Sequence, residues 1–354
     1  MISFMNDYSE GAHPKILELI LQSNLEQNTG YGEDVHSDRA KEYIKQHLRR
    51  EDVDIHFISG GTQTNLLAIS SFLRPHQCVI SADTGHINVH ETGAIEATGH
   101  KVVAMPSKDG KLTIELIKQA LDHHVGEHMV MPKMVYISNT TELGTIYTKA
   151  ELTAIHELCK EKGLILFLDG ARLACALTSK ENDLTMEDIA HLTDAFYIGG
   201  TKNGALLGEA LVICNDKLKE DFRYMIKQRG AMLAKGFLLG MQFEGLFQPE
   251  ESDGTKGTDK ELLYYRLGAH ANEMALKIAE VLSKCGFTFY APVVSNQLFP
   301  VFENDFMVAM EKKFKFQLNE KLDEQKSVVR FVTSWATKPE NVEKLCNYLR
   351  ENKR

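Results

Sequence analysis

Residues 164–173 read LILFLDGARL and residues 194–205 read DAFYIGGTKNGA, and these two stretches decide the fold. The run from Leu164 to Leu168 is apolar without alternation, as in a strand covered on both faces, and it ends on an acid, Asp169. The second stretch repeats the form: an apolar run of strand length, then Gly199, Gly200, Thr201 and Lys202. Between them TMEDIAHL (185–192) is helical in pattern, so one α/β unit separates an acid from a lysine at neighbouring strand ends. In an open α/β sheet the carboxyl ends of the strands border the ligand crevice.

Working outward, the same alternation covers most of the chain. VDIHFIS (53–59), QCVISA (77–82) and MVYISN (134–139) read as strands, while TQTNLLAISSFL (62–73), TIELIKQAL (113–121) and KAELTAIHELCKEKG (149–163) lie between and after them as helices. The pattern predicts an α/β fold with a mostly parallel central sheet flanked by helices. Residues 248–260 (QPEESDGTKGTDK) are polar and contain Pro and Gly, which reads as a linker or surface loop. The expected division is therefore a large domain over 1–247 that includes the N-terminal segment, the linker at 248–260, and a smaller C-terminal α+β domain over 261–354. That last part contains a long helix (262–286), strands near FTFYA (287–291) and VVRFVTSW (328–335), and a closing helix (339–349).

Composition narrows the class without naming a function. The 354 residues are 43% apolar and 25% charged, as in an ordinary globular protein, and the length favours two domains or one large one with an appendage. A net charge of −9 with scattered Lys and Arg argues against nucleic acid as a partner. The six cysteines have no CxxC spacing, which fits a reducing compartment, and the expected location is cytoplasmic. No apolar stretch approaches the ~20 residues of a membrane span, and the N-terminal residues lack a signal-peptide pattern, so no membrane partner is expected.

Four local features carry chemistry. A lysine desolvated in a strand-end crevice has a lowered proton affinity, as Schiff-base chemistry with a carbonyl requires, and an adjacent acid can keep a pyridinium nitrogen protonated. Lys202 and Asp169 meet that description, although Lys202 alone reads rather as a surface lysine and Asp169 alone equally as an N-cap. Ser59-Gly60-Gly61-Thr62-Gln63-Thr64-Asn65 forms a Gly/Thr-rich strand-to-helix turn that either binds a phosphate or merely caps its helix. In the segment from Thr84 to Ala94, His86, His90 and Glu91 do not follow the HExxH order, and no third metal ligand is evident, so no metal is expected. His86 then packs over a flat ring or sits in the core.

Taken together, Tyr31-Gly32-Glu33-Asp34, Gly61-Thr62 with Asn65, His86 with Glu91 and Gly93-Ala94, Asp169-Gly170-Ala171-Arg172-Leu173, Thr201-Lys202 and Arg330 resemble a known family. It is the low-specificity L-threonine aldolases and their relatives among the β-eliminating lyases, of the aspartate-aminotransferase-like fold. The resemblance runs over nearly the whole chain. It implies fold type I of the pyridoxal-phosphate enzymes and pyridoxal 5'-phosphate as cofactor, with Lys202 as its covalent anchor, Asp169 as partner of the ring nitrogen and His86 stacked on the ring. It also implies Gly61 and Thr62 on the cofactor phosphate, Thr201 among the cofactor-binding residues, Arg172 near the phenolic oxygen and substrate carboxylate, and Arg330 on the carboxylate. Tyr31, Asn6 and Thr141 fall at positions of substrate contact. Related enzymes build their sites at a dimer interface, so a homodimer or homotetramer is implied, with Arg229 or Lys235 reaching the neighbouring subunit's phosphate.

The chain departs from the family at several of these positions. Asn6-Asp7-Tyr8 stands where Ser-Asp-Thr is common, Gly60 replaces a serine in the phosphate turn, Cys175 replaces an asparagine, and Asn139-Thr140-Thr141 lacks the family's histidine. The activity implied is retro-aldol cleavage of an L-β-hydroxy-α-amino acid of the threonine, allo-threonine or phenylserine type to glycine and an aldehyde. His86 or a positioned water is the candidate base. Another β-eliminating lyase or an aminotransferase would share every cofactor contact. A nucleotide-binding module is a more distant alternative, since the chain has neither GxxxxGK[ST] nor GxGxxG.

Overall fold

The computed structural model describes residues 1–249 and 262–352. After a short strand at Ile2–Ser3 (β1) come Asp54–Ile58 (β2), Gln77–Ala82 (β3), Val102–Met105 (β4), Met131–Ser138 (β5), Ile165–Asp169 (β6), Ala195–Gly199 (β7) and Glu209–Ile213 (β8). Strands β2 to β8 form one seven-stranded sheet in the order β2-β8-β7-β6-β5-β3-β4. From β7 through β6, β5 and β3 to β4 all neighbours are parallel, and β8 alone runs against its neighbours β7 and β2.

Alternation along each strand feeds two cores. Val135, Ile137, Leu166, Leu168, Phe196 and Ile198 face one, while Met134, Tyr136, Phe167, Ala195 and Tyr197 face the other. Both faces are covered, which is why the strands read as continuous apolar runs rather than alternating ones. The helices that cover them have sequence-encoded ends. Lys149–Lys162 starts with a capping box between Thr148 and Glu151 and stops at Gly163, whose φ of 63° suits glycine. At the carboxyl ends of β6 and β7 the chains come so close that a Cβ on Gly170 would lie 1.8 Å from the Tyr197 carbonyl oxygen. Only hydrogen fits there, so the Asp169 and Lys202 segments sit side by side.

The C-terminal unit contains Gln297–Leu298 (β9), Val301–Glu303 (β10), Phe314–Lys315 (β11), Gln317–Lys321 (β12) and Lys326–Val332 (β13). Its separate core gathers Met274, Ile278, Phe302, Phe331 and Leu345. The long helix Leu263–Lys284 serves both units: Leu263, Tyr264 and Leu267 belong to a core of the central sheet, and Met274 onward to the smaller core.

Two expectations need adjustment, and a third is left untested. The strand expected at 287–291 is a single bridge from Phe289 to Pro300, and Pro292 has no N–H with which to extend a ladder. The N-terminal residues lie on the C-terminal unit, not in the large one: β1 pairs with β11, and Phe4 is buried in the smaller core. Most of the linker at 248–260 lies outside the described residues.

Candidate active site

The parity of the sheet assembles the acid. Asp169 ends β6 on the same face as Phe167, and Tyr136 and Tyr197 point to that face from the adjacent strands. Tyr136 donates its hydroxyl to Asp169 Oδ2 at 2.5 Å, Asn65 Nδ2 donates to the same oxygen at 3.2 Å, and the Ala171 amide donates to Oδ1 at 3.0 Å. Tyr197 also hydrogen-bonds the carboxyl. Burial works against the charge of Asp169, yet His86, the two tyrosine hydroxyls and the Ala171 amide outweigh it and hold the carboxyl below the usual aspartate range. Burial, followed by the charge of Asp169, pushes both tyrosine hydroxyls well above theirs, so they stay protonated as donors.

The Asn65 amide continues the network, donating to Glu91 Oε1 at 2.7 Å, and Glu91 Oε1 lies 2.8 Å from His86 Nδ1. His86 opens the short helix His86–Val89, and its backbone N–H donates to Glu142 Oε1 at 2.9 Å. Its imidazole is one-third exposed while Glu91 is fully covered, so the ring is oriented from behind and open in front. Its ring lies 5.5 Å from that of His90, and no set of three metal-capable side chains occurs among the described residues.

Lys202 follows β7 in a hairpin loop closed by β8, with Gly199 paired to Glu209. Glu209 accepts the Gly200 N–H at 3.1 Å and a bond from the Thr201 side chain, and the Thr201 hydroxyl accepts the Gly208 N–H at 2.9 Å. Burial and the Arg172 guanidinium push the Lys202 ammonium down, against Asp7, Asp169 and Glu209. Burial likewise raises Glu209 to about 8, despite the Thr201 bond and the lysine. Burial therefore acts on both groups against their charged forms.

Across the crevice Arg172 is engaged by Asp7, Nε to Oδ2 at 2.7 Å and Nη2 to Oδ1 at 3.0 Å. Arg330, from β13, lies within electrostatic reach of Arg172, Asp7 and Tyr8, and its Nε is buried without a hydrogen-bond partner. Two guanidinium groups share one acid there, which leaves positive charge for an incoming anion. At the other side, the helix Gly61–Phe72 begins at Gly60 without a side-chain cap, so its first N–H groups are available to an anion. A Cβ on Gly61 would stand 3.2 Å from the Tyr197 hydroxyl, which places this helix end beside the Asp169 cluster. Thr62 is exposed at that end.

Asp169, Lys202, His86, Asn65, Arg172 and Arg330 thus meet at one crevice, with Gly61 beside them. Three other candidates do not. Thr141 is fully buried, its hydroxyl 2.7 Å from that of Thr145 and facing the Asp109 carbonyl, so it braces a loop and does not face the crevice. Asn6 accepts from the Tyr8 amide and the Ser9 hydroxyl in a local turn, and the group that enters the site is its neighbour Asp7. Tyr31 is exposed beneath Lys227 and bonded to the Arg223 side chain through its carbonyl, with no contact to the crevice among the described residues. Sequence reading passed over Asp7 as a charged group, Tyr136, Tyr197, Glu142 and Glu209.

The model of the beta-eliminating lyase family matches residues 11–327 of this chain. A low specificity L-threonine aldolase of Pseudomonas aeruginosa is 31% identical, with 98% of this chain and 96% of the relative covered. One from another Pseudomonas species is 32% identical over the same shares. Among solved structures, a threonine aldolase of Leishmania major is 52% identical and superposes with a TM-score of 0.95 over 99% of both chains. An aspartate aminotransferase of Thermus thermophilus, 13% identical, superposes with a TM-score of 0.70 over 99% of this chain and 91% of its own, a likeness of fold alone.

Proposed function

This chain belongs to the beta-eliminating lyase family, and from that membership and the crevice together we propose that it cleaves L-β-hydroxy-α-amino acids to glycine and an aldehyde. It is a pyridoxal-phosphate enzyme of fold type I. The residues present fit that cofactor: a carboxylate kept charged in a buried pocket suits a cationic ring nitrogen, an uncapped helix end suits a phosphate, and a desolvated lysine suits a covalent link to a carbonyl. When bound, the cofactor supplies an electron sink for the pair released at the substrate α-carbon.

The chain's own residues do the rest. Lys202 holds a neutral, nucleophilic amine more readily than an exposed lysine, because burial and Arg172 disfavour its charge. Asp169 keeps a proton on the ring nitrogen, and Tyr136, Tyr197 and Asn65 fix its orientation. His86, held by Glu91, flanks the ring, and Gly61, Thr62 and Thr201 border the phosphate. Arg330, with its unpartnered Nε, grips the substrate carboxylate in the field of Arg172, and this grip orients the bond to be broken. The observation that supports the reading most is the meeting of Asp169 and Lys202 at adjacent strand ends, with Arg330 of β13, whose Nε is unpartnered, near them.

The protein further acts as a homodimer or homotetramer in the cytoplasm, with Arg229, whose Nε is buried and unpartnered, or the exposed Lys235 completing a neighbouring subunit's phosphate site. No helix among the described residues is long and apolar enough to cross a membrane. The test incubates the purified protein with threonine, allo-threonine and phenylserine, and borohydride-treated protein is mapped by mass spectrometry. Glycine with an equal amount of aldehyde, and reduced cofactor on Lys202, are expected. A 2-oxo acid with ammonia would instead establish β-elimination, and reduced cofactor on any other lysine would overturn the assignment of Lys202.

A further inference from the structure

Glu142 lies in the loop after β5, against the His86 segment of the crevice. Its Oε1 accepts the His86 backbone N–H at 2.9 Å and the Ser138 hydroxyl at 2.8 Å, so one oxygen is fixed from two elements. Asp169 at the end of β6, Arg172, Tyr136 and Tyr147 are within electrostatic reach. Unlike Glu91, Glu142 is only partly buried, and it has no cation at ion-pair distance among the described residues.

Several other groups near this point already have hydrogen-bond partners. His86 Nδ1 is engaged by Glu91, Asp169 accepts from four donors, and the Thr141 hydroxyl faces Thr145. Glu209 is buried behind the Gly200–Thr201 backbone. Resting on the lyase reading above, we infer that Glu142 is the base that takes the proton from the substrate β-hydroxyl. Its carboxylate accepts that proton as the O–H electrons become the second bond of the aldehyde carbonyl and the Cα–Cβ bond breaks. The electron pair of that bond stays with the amino-acid fragment, which takes up one proton at Cα and leaves as glycine. Burial and the charge of Asp169 raise the carboxyl above the usual glutamate range, against Ser138, its own backbone and His86, which brings a base closer to neutral pH.

Glu142→Gln keeps the size and can still accept from His86 and Ser138, so it removes the base and little else. Two reactions of the holoenzyme are compared: aldehyde release from threonine and phenylserine across pH, and exchange of the glycine α-proton for deuterium followed by NMR, which needs no β-hydroxyl. The variant is expected to lose kcat for cleavage by about a hundredfold or more, with little change in KM and no acid limb, while glycine exchange persists. Cleavage close to wild type, or exchange that falls in step with cleavage, overturns the inference and leaves the lyase reading standing. A wild type that exchanges glycine but releases no aldehyde from any β-hydroxy amino acid overturns both. If the glutamine variant does not fold, Glu142→Asp decides: a reduced kcat with its acid limb moved is expected, and an unmoved limb is fatal.

Discussion

Asp7→Ala offers the sharpest test of how the site is held together. Asp7 is 1% exposed, and its carboxylate accepts twice from Arg172 and once from Asn296 at 3.0 Å. The Arg172 side chain is 11% exposed, so removing the acid leaves a guanidinium nearly enclosed without its counter-charge. Breaking such a pair from one side costs about 3–5 kcal/mol, far more than the ~0–1 kcal/mol of an exposed ion pair. Asp7→Ala combined with Arg172→Met removes both members of the hydrogen-bonded pair, so the double variant should cost less than the sum of the single ones by about 1–3 kcal/mol. Urea unfolding followed by the fluorescence of Trp335, the one tryptophan, reads these differences. The pH dependence is fixed in sign. Burial opposes the charge of Asp7, but Arg172, Lys202 and Asn296 hold its pKa below the ordinary value. Its contribution is therefore fully present above the unfolded pKa of about 3.9 and lost as pH falls through the lower folded value. A gap between wild type and Asp7→Ala below about 1 kcal/mol at neutral pH, or one that widens in acid, would refute the reasoning.

Three further variants probe the crevice. Asp169→Asn should keep part of the bound cofactor but lose most turnover, because a neutral amide cannot hold the ring nitrogen protonated; near-normal turnover removes Asp169 from the mechanism. Thr141→Val takes away the acceptor of the Thr145 N–H and should cost about 1–3 kcal/mol in urea unfolding, while the ratio of kcat/KM for threonine and allo-threonine stays fixed; a changed ratio would bring this residue into the crevice after all. Glu209 has a folded pKa raised from 4.5 to about 8, so its contribution to stability is present below pH 4.5 and is lost as pH rises toward 8. Stability curves of wild type and Glu209→Gln should therefore converge, or cross, as pH rises over that interval, and parallel curves would show that the carboxyl does not titrate there.

The legible part of the fold was whatever a strand or a turn writes locally. Ile165–Asp169 and Ala195–Gly199 are apolar runs that end on the groups that matter, and burial on both faces made them read as strands. Asp7 could not be read in this way, since it meets Arg172 across 165 residues and nothing local marks it. Tyr136 and Tyr197 were within reach of reasoning: each lies two places before its strand end, on the face that Asp169 shares. Glu142 follows Thr141, and a sequence cannot say which of two adjacent loop residues turns toward the crevice. The hydrogen bond to His86 settles it for the glutamate. Glu209 begins β8, whose reversed direction folds it back beneath the lysine loop, and that reversal belongs to the hairpin rather than to any residue pattern.

The seating of the first residues has a bearing on how the protein is made. The Phe4 carbonyl accepts the Val332 N–H at 2.8 Å, the Phe4 N–H donates to the Lys315 carbonyl, and Asp7 is bonded to Asn296. A ribosome that adds about 5–20 residues per second needs roughly 15–65 s to pass from the first of these partners to the last. For most of that interval Phe4 lacks the strands on which it docks, and Asp7 can meet Arg172 but not yet Asn296. The central sheet can form during synthesis, but under the role proposed for Arg330 the crevice lacks its carboxylate-binding group until that residue has been made. On that reading the chain turns over no amino acid before its last strand is in place.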